Sequence, residues 1–280
     1  MKDMTLFRSR DEVTTSTLLR CLESVDAGDC RLLYVHSELS FGKPNPELGK
    51  TGLLQAVVET LQALGVPTIV VPTFTFSFCN GVGYDVTGSR SKMGALNEYI
   101  RRLPEAERSI DPLMSAAALG ADKQVVRNLG HHSIGADCTF DKIHKAGNAR
   151  FLFLGVGAAK CFTYTHYVEE RLRVPYRYDR EFTGSITDGD RRYDDTYTLY
   201  VRYSGVVPES STKFEDFMVR EGLMKKVACG DNFISSVAEP VAYDTIAGKI
   251  REDANYFLAE PYRLDRKDTR FEVKAEMVAL

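Results

Sequence analysis

The chain has 280 residues, of which 44% are hydrophobic and 27% charged, and this length and composition are typical of an ordinary soluble globular protein with a sizeable core. Its 36 basic and 39 acidic residues give a formal net charge of −3, so the sequence lacks the global positive charge that holds nucleic acid or an anionic membrane. We therefore predict no nucleic-acid partner and no membrane association.

The six cysteines are far apart, with no CxxC pattern and no tight cluster with histidine. The first residues, MKDMTLFRSRDE, lack the apolar core of a signal peptide, and no apolar run approaches the roughly 20 residues needed to cross a bilayer. We expect a cytoplasmic protein with reduced thiols.

Predicted helices and strands alternate through the first 160 residues. The predicted helices are TTSTLLRCLESVD, GLLQAVVETLQAL, MGALNEYIRRL and PLMSAAALG. The predicted strands are RLLYVHSEL, VPTIVVPTF and ARFLFLGVG. Because the apolar run of the third strand is continuous, we expect that strand to be covered on both faces.

From about residue 176 the pattern changes. RRYDDTYTLYVRYSG alternates polar and apolar residues, which predicts a strand with one wetted face and an antiparallel partner. TKFEDFMVREGLMKKVACG predicts an amphipathic helix, and NFISSVAEPVAYDTIAGKIREDANYFL a short strand and a final helix. There are no repeats or Pro/Ser-rich linkers. We therefore predict one domain, residues 1–280, of the α/β class: an αβα sandwich around a central mixed sheet, with an additional smaller lobe.

The segment KCFTYTHYVEER, residues 160–171, follows the third strand and carries a histidine and a glutamate three residues apart. If Thr163 or Thr165 caps a helix there, His166 and Glu169 share one face of its first turn. The helix dipole disfavours an imidazolium while Glu169 favours it, and this balance suits a neutral histidine acting as a general base. Open α/β sheets bind ligands beyond the carboxyl ends of their strands, which is where this pair lies.

Other roles for the pair remain open. It can be a plain surface pair or helix cap. A zinc site would need a further ligand such as His131 or His132, and the spacing matches no standard metal signature, so we predict no metal. Cys161 could act as a nucleophile with His166, although buried structural cysteine is the commoner role.

The segment F-T-Y-T-H-Y-V-E resembles the T-x-x-H-x-x-E motif of the aminoglycoside 3-N-acetyltransferase (antibiotic N-acetyltransferase) family, whose members move an acyl group from coenzyme A to an amino-sugar nitrogen. Four further segments match family motifs in the same order: VHSELSFGK (35–43), VVPTFTFSF (70–78), SRSKMGALNEYIRR (89–102) and RSIDPLMSAAALG (108–120). Together the motifs cover roughly residues 30–180. The sequence departs from the family at Glu38 and at Asp111, which stands where the family usually has histidine.

The resemblance implies an acyl-CoA-dependent N-acyltransferase with an amino sugar as the small-molecule acceptor. His166 would take the proton of the amine, Glu169 would orient the imidazole or hold the incoming ammonium, and Thr163 would cap the helix. Acetyl-CoA or another acyl-CoA would be the co-substrate. The predicted cofactor-binding residues, among them hydroxyls that could stabilise the oxyanion, are His36, Ser37, Glu38, Leu39, Ser40, Thr73, Thr75, Arg108, Ser109 and Ser115.

The predicted acceptor-binding residues are Asp85, Asp111, Tyr167 and Arg177. Arg177 belongs to an arginine-rich stretch, ERLRVPYRYDREF, that could bind a diphosphate. This stretch and the weak net charge favour a nucleotide-linked amino sugar from surface polysaccharide biosynthesis as the acceptor. The alternative acceptor is an aminoglycoside antibiotic. The alternative functions are a cysteine- or metal-dependent hydrolase and a noncatalytic binding module. The sequence leaves the oligomeric state open, a homodimer being one outcome.

Overall fold

The structure is a computed structural model that describes residues 2–263. Its strands are β1 (Thr5–Arg8), β2 (Val13–Thr14), β3 (Leu32–Ser37), β4 (Lys43–Pro44), β5 (Thr68–Pro72), β6 (Tyr84–Asp85), β7 (Ala106–Arg108), β8 (Ala116–Gly120), β9 (Ala149–Leu154), β10 (Arg177–Asp188), β11 (Arg191–Arg202), β12 (Lys225–Cys229) and β13 (Asn232–Ala238). Its helices are α1 (Thr15–Ser24), α2 (Gly49–Gln62), α3 (Ala95–Ile100), α4 (Thr139–Ala146), α5 (Ala158–Cys161), α6 (Tyr164–Arg171), α7 (Lys213–Arg220) and α8 (Glu239–Glu252).

The central sheet has seven strands in the order β12-β13-β9-β3-β5-β8-β7. Strand β3 is parallel to both of its neighbours, β5 and β9, and Tyr34 lies opposite Val70 on one side and Phe151 on the other. The outer pairs are all antiparallel. The predicted mixed sheet is therefore confirmed, with its parallel strands at the centre.

Two hydrophobic cores cover the two faces of this sheet because successive side chains of a strand point to opposite faces. Leu33 and Val35 of β3 contribute to the core that includes residues of α1, α2 and α3. Tyr34, between them, belongs to the other core, which includes residues of α4, α6 and α8. The continuous apolar sequence of β3 and β9 follows from this burial on both faces, and the predicted αβα sandwich is confirmed.

The smaller lobe is a long hairpin of β10 and β11, whose strands pair over twelve residues each. One face of the hairpin packs on the core through Phe182, Ile186 and Tyr197. The short strand β6 pairs in parallel with β10 and extends this sheet to three strands. A second small sheet has the order β2-β1-β4. The predicted antiparallel pairing of the RRYDDTYTLYVRYSG strand is confirmed.

One predicted helix is absent and another is shorter than predicted. PLMSAAALG forms a loop followed by β8, because its alanine-rich backbone pairs with β5 on one side and β7 on the other. This pairing overrides the local helix preference of alanine. The segment after Arg220 leaves the predicted amphipathic helix and forms the edge strand β12. None of the helices within residues 2–263 is both long and apolar enough to cross a membrane.

Candidate active site

The parallel strands β9, β3 and β5 end at the same edge of the sheet, so the loops that follow them lie together. The loop after β3 is bonded to the end of β9, because the Glu38 N–H donates to the Leu154 carbonyl at 2.9 Å. Gly155 has a φ of +73°, and a Cβ on it would lie 2.1 Å from the Glu38 carbonyl oxygen. Only glycine fits there, and this close contact joins two of the predicted site loops.

Helix α6 presents the predicted catalytic pair. It begins at Tyr164 with Thr163 as the N-cap residue, yet the Thr163 hydroxyl donates to the Cys161 carbonyl at 3.1 Å and makes no capping hydrogen bond. His166 and Glu169 lie on one face of the helix, and His166 Nδ1 is 2.9 Å from Glu169 Oε2. The predicted juxtaposition of the histidine and the glutamate is therefore present, while the expected capping bond of Thr163 is not.

Glu169 is a buried anion, with 2% of the residue exposed. The Tyr176 hydroxyl donates to its Oε1 at 2.8 Å, and the Arg177 guanidinium lies 2.8 Å from its Oε2. Burial alone raises the pKa of a carboxyl, but the Arg177 charge, the adjacent His166 and the Tyr176 hydrogen bond outweigh burial and lower the pKa of Glu169 to about 2. Glu169 is ionised at neutral pH.

The His166 imidazole is neutral at physiological pH. Burial and the neighbouring Arg177 charge lower its pKa to about 4, against the opposing effect of Glu169. About a third of the side chain, 35%, remains exposed, and Nε2 has no hydrogen-bond partner within the described part of the chain. The imidazole is therefore uncharged and accessible, as a general base must be.

A second arginine, Arg202, lies near this group. It faces Arg177 across the β10–β11 hairpin, and its charge contributes to the lowered pKa of His166. Burial and repulsion by Arg177 lower the pKa of Arg202 to about 10. Arg202 has no ion pair within residues 2–263, whereas Arg177 is paired with Glu169. Two guanidinium groups therefore lie near the imidazole, and of the two only Arg177 is paired with Glu169 among the described residues.

Sequence reasoning missed Tyr176 and Arg202 as parts of this site. Tyr176 is adjacent to Arg177 in the sequence, but a tyrosine before a strand carries no signal of a bond to a glutamate on a helix. Arg202 lies 25 residues beyond Arg177, and only the pairing register of the hairpin brings the two together. Only a correct prediction of the pairing register of the hairpin could have indicated that Arg202 lies opposite Arg177.

The hydroxyls predicted near the thioester are tied into a buried cluster around Arg108. The Arg108 guanidinium donates to Thr73 Oγ1 at 3.1 Å and to the Thr73 carbonyl at 2.6 Å, and it also bonds the carbonyls of Val86 and Ser89. The Ser115 hydroxyl donates to the Thr73 carbonyl at 2.8 Å. Arg108, Thr73 and Ser115 are 8%, 0% and 1% exposed. These bonds fix the loop after β5 against β7 and β8.

Other predicted cofactor residues lie around the same edge. The Thr75 hydroxyl bonds that of Ser77, and the Ser109 hydroxyl accepts from the Ala116 N–H. Ser37 donates to Asn97 on α3. Glu38 and Ser40 are exposed and Leu39 is half-buried, so this loop is the accessible part of the predicted cofactor set.

His36 is buried at the end of β3 and stacks on Phe153 with ring centroids 5.4 Å apart. Burial lowers its pKa to about 3, and its Nε2 has no hydrogen-bond partner among the residues that the structure describes. The His36 ring is therefore a neutral part of the core next to Phe162, which precedes α6.

Three predicted acceptor residues face the protein interior or a turn. Asp85 accepts hydrogen bonds from the backbone of Thr87 and Gly88 and caps a turn. Asp111 is 2% exposed, and its Oδ1 accepts from the Leu113 and Met114 N–H groups and from the Ser133 hydroxyl.

Tyr167 is fully buried and its hydroxyl donates to Asp141. Of the four predicted acceptor residues, Arg177 is the one that the structure brings to His166. The acceptor-binding roles of the other three remain predictions.

The alternative chemistries lack support from the geometry. Burial raises the pKa of the Cys161 thiol far above its usual range, and the thiol donates to the Gly157 carbonyl at 3.4 Å. His131 is paired with Asp195 and His132 with Asp179, so both face the hairpin. Residues 2–263 contain no group of three or more His, Cys, Asp or Glu side chains arranged to hold a metal ion.

A family model described as aminoglycoside 3-N-acetyltransferase matches residues 34–247, which include the ends of β3 and β9 and all of α6. The chain belongs to the aminoglycoside 3-N-acetyltransferase family. The prediction of a CoA-dependent N-acyltransferase with acetyl-CoA as co-substrate is thereby confirmed. No curated protein matches the chain significantly in sequence.

Solved structures share the fold. The chain is similar to the aminoglycoside acetyltransferase AAC(3)-Xa, with a TM-score of 0.72 and 21% identity over 86% of this chain and 93% of the other. It is also similar to AAC-IIIb in a binary complex with CoASH, with a TM-score of 0.73 and 15% identity over 89% and 98%. It is similar as well to the YokD protein from Bacillus subtilis, with a TM-score of 0.70 and 18% identity over 90% of this chain and 96% of the other. At these identities the similarity establishes the fold.

Proposed function

We propose that the protein transfers the acetyl group of acetyl-CoA to an amine of an aminoglycoside-type amino sugar, with His166 as the general base. The observation that carries this proposal is the neutral, accessible imidazole of His166 at the carboxyl edge of the sheet, held against an ionised Glu169. Membership of the family supports the reaction class.

The reaction forms one N–C bond and breaks one C–S bond, as the amine nitrogen attacks the thioester carbonyl carbon. An amine that enters as ammonium must lose one proton to the solvent before attack, and the attacking amine loses a second proton to His166 Nε2. For this, Nδ1 must keep its proton and donate a hydrogen bond to Glu169, so that the lone pair of Nε2 is free. The proton then passes to the leaving thiolate of coenzyme A.

Coenzyme A is proposed to bind along the loop Ser37–Ser40 after β3, where Glu38 and Ser40 are exposed beside the glycine turn at Gly155. This loop and α6 follow neighbouring parallel strands, so a thioester bound along the loop can lie near His166. Arg108, Thr73 and Ser115 act in this proposal as the buried support of the adjacent loop.

Aminoglycosides are the first acceptor candidate, because structures of AAC(3)-IVa contain a gentamicin and apramycin. A nucleotide-linked amino sugar is the second candidate. One observation favours it: Arg177 and Arg202 place two positive charges beside a single carboxylate, which suits a ligand that carries a phosphate group. A polycationic drug would meet repulsion at the same place.

The experiment is an acetyl-transfer assay that detects free coenzyme A with a thiol reagent. The acceptors are gentamicin, apramycin, glucosamine and a uridine-diphosphate-linked amino sugar. Thiol release that requires an amine is the expected result, and product mass identifies the acetylated amine. His166→Gln should reduce kcat/KM by about 10²- to 10⁴-fold, since that is the usual contribution of a general base. A variant as active as the parent would disprove the role of His166.

A control variant, a second variant and one assay outcome distinguish the two acceptor candidates from each other and acetyl transfer from hydrolysis. His132→Gln changes a histidine that bonds Asp179 on the hairpin and should leave the rate unchanged. Arg202→Gln should lower kcat/KM for the phosphate-bearing acceptor but not for glucosamine if the second candidate is right. Thiol release without any amine would instead indicate a hydrolase.

A further inference from the structure

Three atoms beside α6 lie within hydrogen-bond distance of one another. His166 Nδ1 is 2.9 Å from Glu169 Oε2 and 2.7 Å from Arg177 Nη2, and Nη2 is 2.8 Å from Oε2. A guanidinium nitrogen can only donate and an ionised carboxylate oxygen can only accept. The tautomer of His166 therefore decides which contacts of this triangle are hydrogen bonds.

If Nδ1 carries the proton, it donates to Glu169, but the short contact with Arg177 then joins two donors. An N–H of Arg177 would lose its acceptor in a side chain that is only 5% exposed. Nε of the same guanidinium already lacks a hydrogen-bond partner within residues 2–263, so this tautomer would leave a second buried donor unsatisfied.

If Nδ1 is bare, the two N–H bonds of Nη2 are both satisfied, one by Oε2 and one by Nδ1. Glu169 does not depend on the imidazole, because the Tyr176 hydroxyl and Arg177 already donate to its two oxygens. The remaining contact, between Nδ1 and Oε2, then joins two acceptors at 2.9 Å, and both receive an N–H of Nη2. Each tautomer makes two hydrogen bonds in this triangle, but only the one with a bare Nδ1 gives both N–H bonds of the buried Nη2 an acceptor.

We propose that Arg177 holds His166 of the ligand-free protein in the tautomer protonated at Nε2, and that Arg177 Nη2 must leave Nδ1 before His166 can act as the base. Nδ1 then takes one proton from water and the exposed Nε2 releases one to water, so the imidazole stays neutral. This proposal rests on the proposed function, which requires the lone pair of Nε2. Arg177 is thus a positioning residue: it acts through His166 and Glu169. Its Nη1 donates to the Tyr200 carbonyl at 3.0 Å, so the position of the guanidinium is set by the β10–β11 hairpin.

The two tautomers differ in the ¹⁵N chemical shifts of the ring nitrogens, which can be measured by two-bond ¹H–¹⁵N correlation on histidine-labelled protein at pH 7. The chain has five histidines, and the His166 signals are assigned as those missing from His166→Gln. We expect a protonated Nε2 and a bare Nδ1 in the ligand-free wild type. A protonated Nδ1 in this sample overturns the proposal, and this measurement needs no variant that perturbs the site.

Arg177→Gln is expected to move the His166 signals toward the tautomer protonated at Nδ1. The matched control is Arg173→Gln, which removes an exposed arginine paired with Glu170 and Asp179 and should leave the His166 signals unchanged. Unchanged signals in a folded Arg177→Gln protein would also overturn the proposal. If Arg177→Gln does not fold, the wild-type spectrum decides the question alone.

These measurements need no turnover, so they are independent of the acetyl-transfer assay. A loss of the proposed function, shown by His166→Gln transferring acetyl groups at the parent rate, would leave the tautomer result intact. Conversely, a wild-type Nδ1–H tautomer together with an inactive His166→Gln protein would retain His166 as the base and remove the role of Arg177.

Discussion

Replacement of Glu169 by glutamine removes the carboxylate that is paired with the buried Arg177 guanidinium. Moving the pKa of a glutamate from its usual 4.5 to about 2 in the folded protein corresponds to about 3 kcal/mol of folding free energy, because one pKa unit equals about 1.4 kcal/mol. Glutamine resembles the protonated acid in shape and charge. Glu169→Gln should therefore lower the free energy of unfolding by about 3 kcal/mol at pH 7.

The pH dependence makes this prediction specific. The folded pKa lies below the unfolded one, so the stabilisation is fully present above about pH 4.5 and is lost as the pH falls through 4.5 toward 2. The difference in the free energy of unfolding between wild type and Glu169→Gln should be constant from pH 7 to 5.5. It should be about 0.8 kcal/mol smaller at pH 4.

Urea unfolding at these pH values, followed by circular dichroism, measures the difference. The control is Glu170→Gln, the next residue of α6, whose partner Arg173 is exposed; its cost should be below about 1 kcal/mol, as for other surface pairs. A cost of Glu169→Gln that does not change with pH, or that is matched by Glu170→Gln, would refute the assignment of Glu169 as a buried compensated anion.

Three further outcomes are expected. Cys161→Ala should keep kcat/KM within about twofold in the thiol-release assay, because burial keeps this thiol protonated, and a large loss would revive a cysteine mechanism. Arg108→Gln should lower the free energy of unfolding by at least about 3 kcal/mol, since it unpairs the buried hydroxyl and carbonyl of Thr73 and the partly buried carbonyl of Val86. The free energy of unfolding of the wild type should fall as the pH drops from 6.5 toward 4, because in this range His166 takes up a proton in the unfolded but not in the folded protein. In His166→Gln, the free energy of unfolding measured in urea should depend less on pH over the same range.

Local sequence patterns predicted most of the fold. The alternation of apolar helices and strands was sufficient for the αβα sandwich, and the continuous apolar run of β9 correctly indicated a strand covered on both faces. The helix predicted for PLMSAAALG was wrong because alanine favours helix locally, while the position of β8 between β5 and β7 requires a strand. Strand pairing depends on contacts remote in sequence, which no local pattern contains.

The pair His166 and Glu169 could be predicted because its two members are three residues apart on one helix, a spacing that guarantees proximity. Asp111 and Tyr167 are also predicted to bind the acceptor, and in this structure the Asp111 carboxylate accepts from Leu113, Met114 and Ser133 and the Tyr167 hydroxyl donates to Asp141. A motif position predicts where a residue lies along the chain, but the direction of its side chain depends on the neighbours that satisfy it.

By itself, the sequence determined the class of fold, the family motifs and the position of the imidazole on α6, because these depend on short-range periodicity and spacing. Only the tertiary structure decided the charge around that imidazole. The register of the β10–β11 hairpin places Arg202 opposite Arg177, and the packing of the hairpin on α6 brings Arg177 and Tyr176 to Glu169. Electrostatic interactions depend on distance in space, so pairing across residues far apart in the chain sets the pKa of His166 and the tautomer that it adopts.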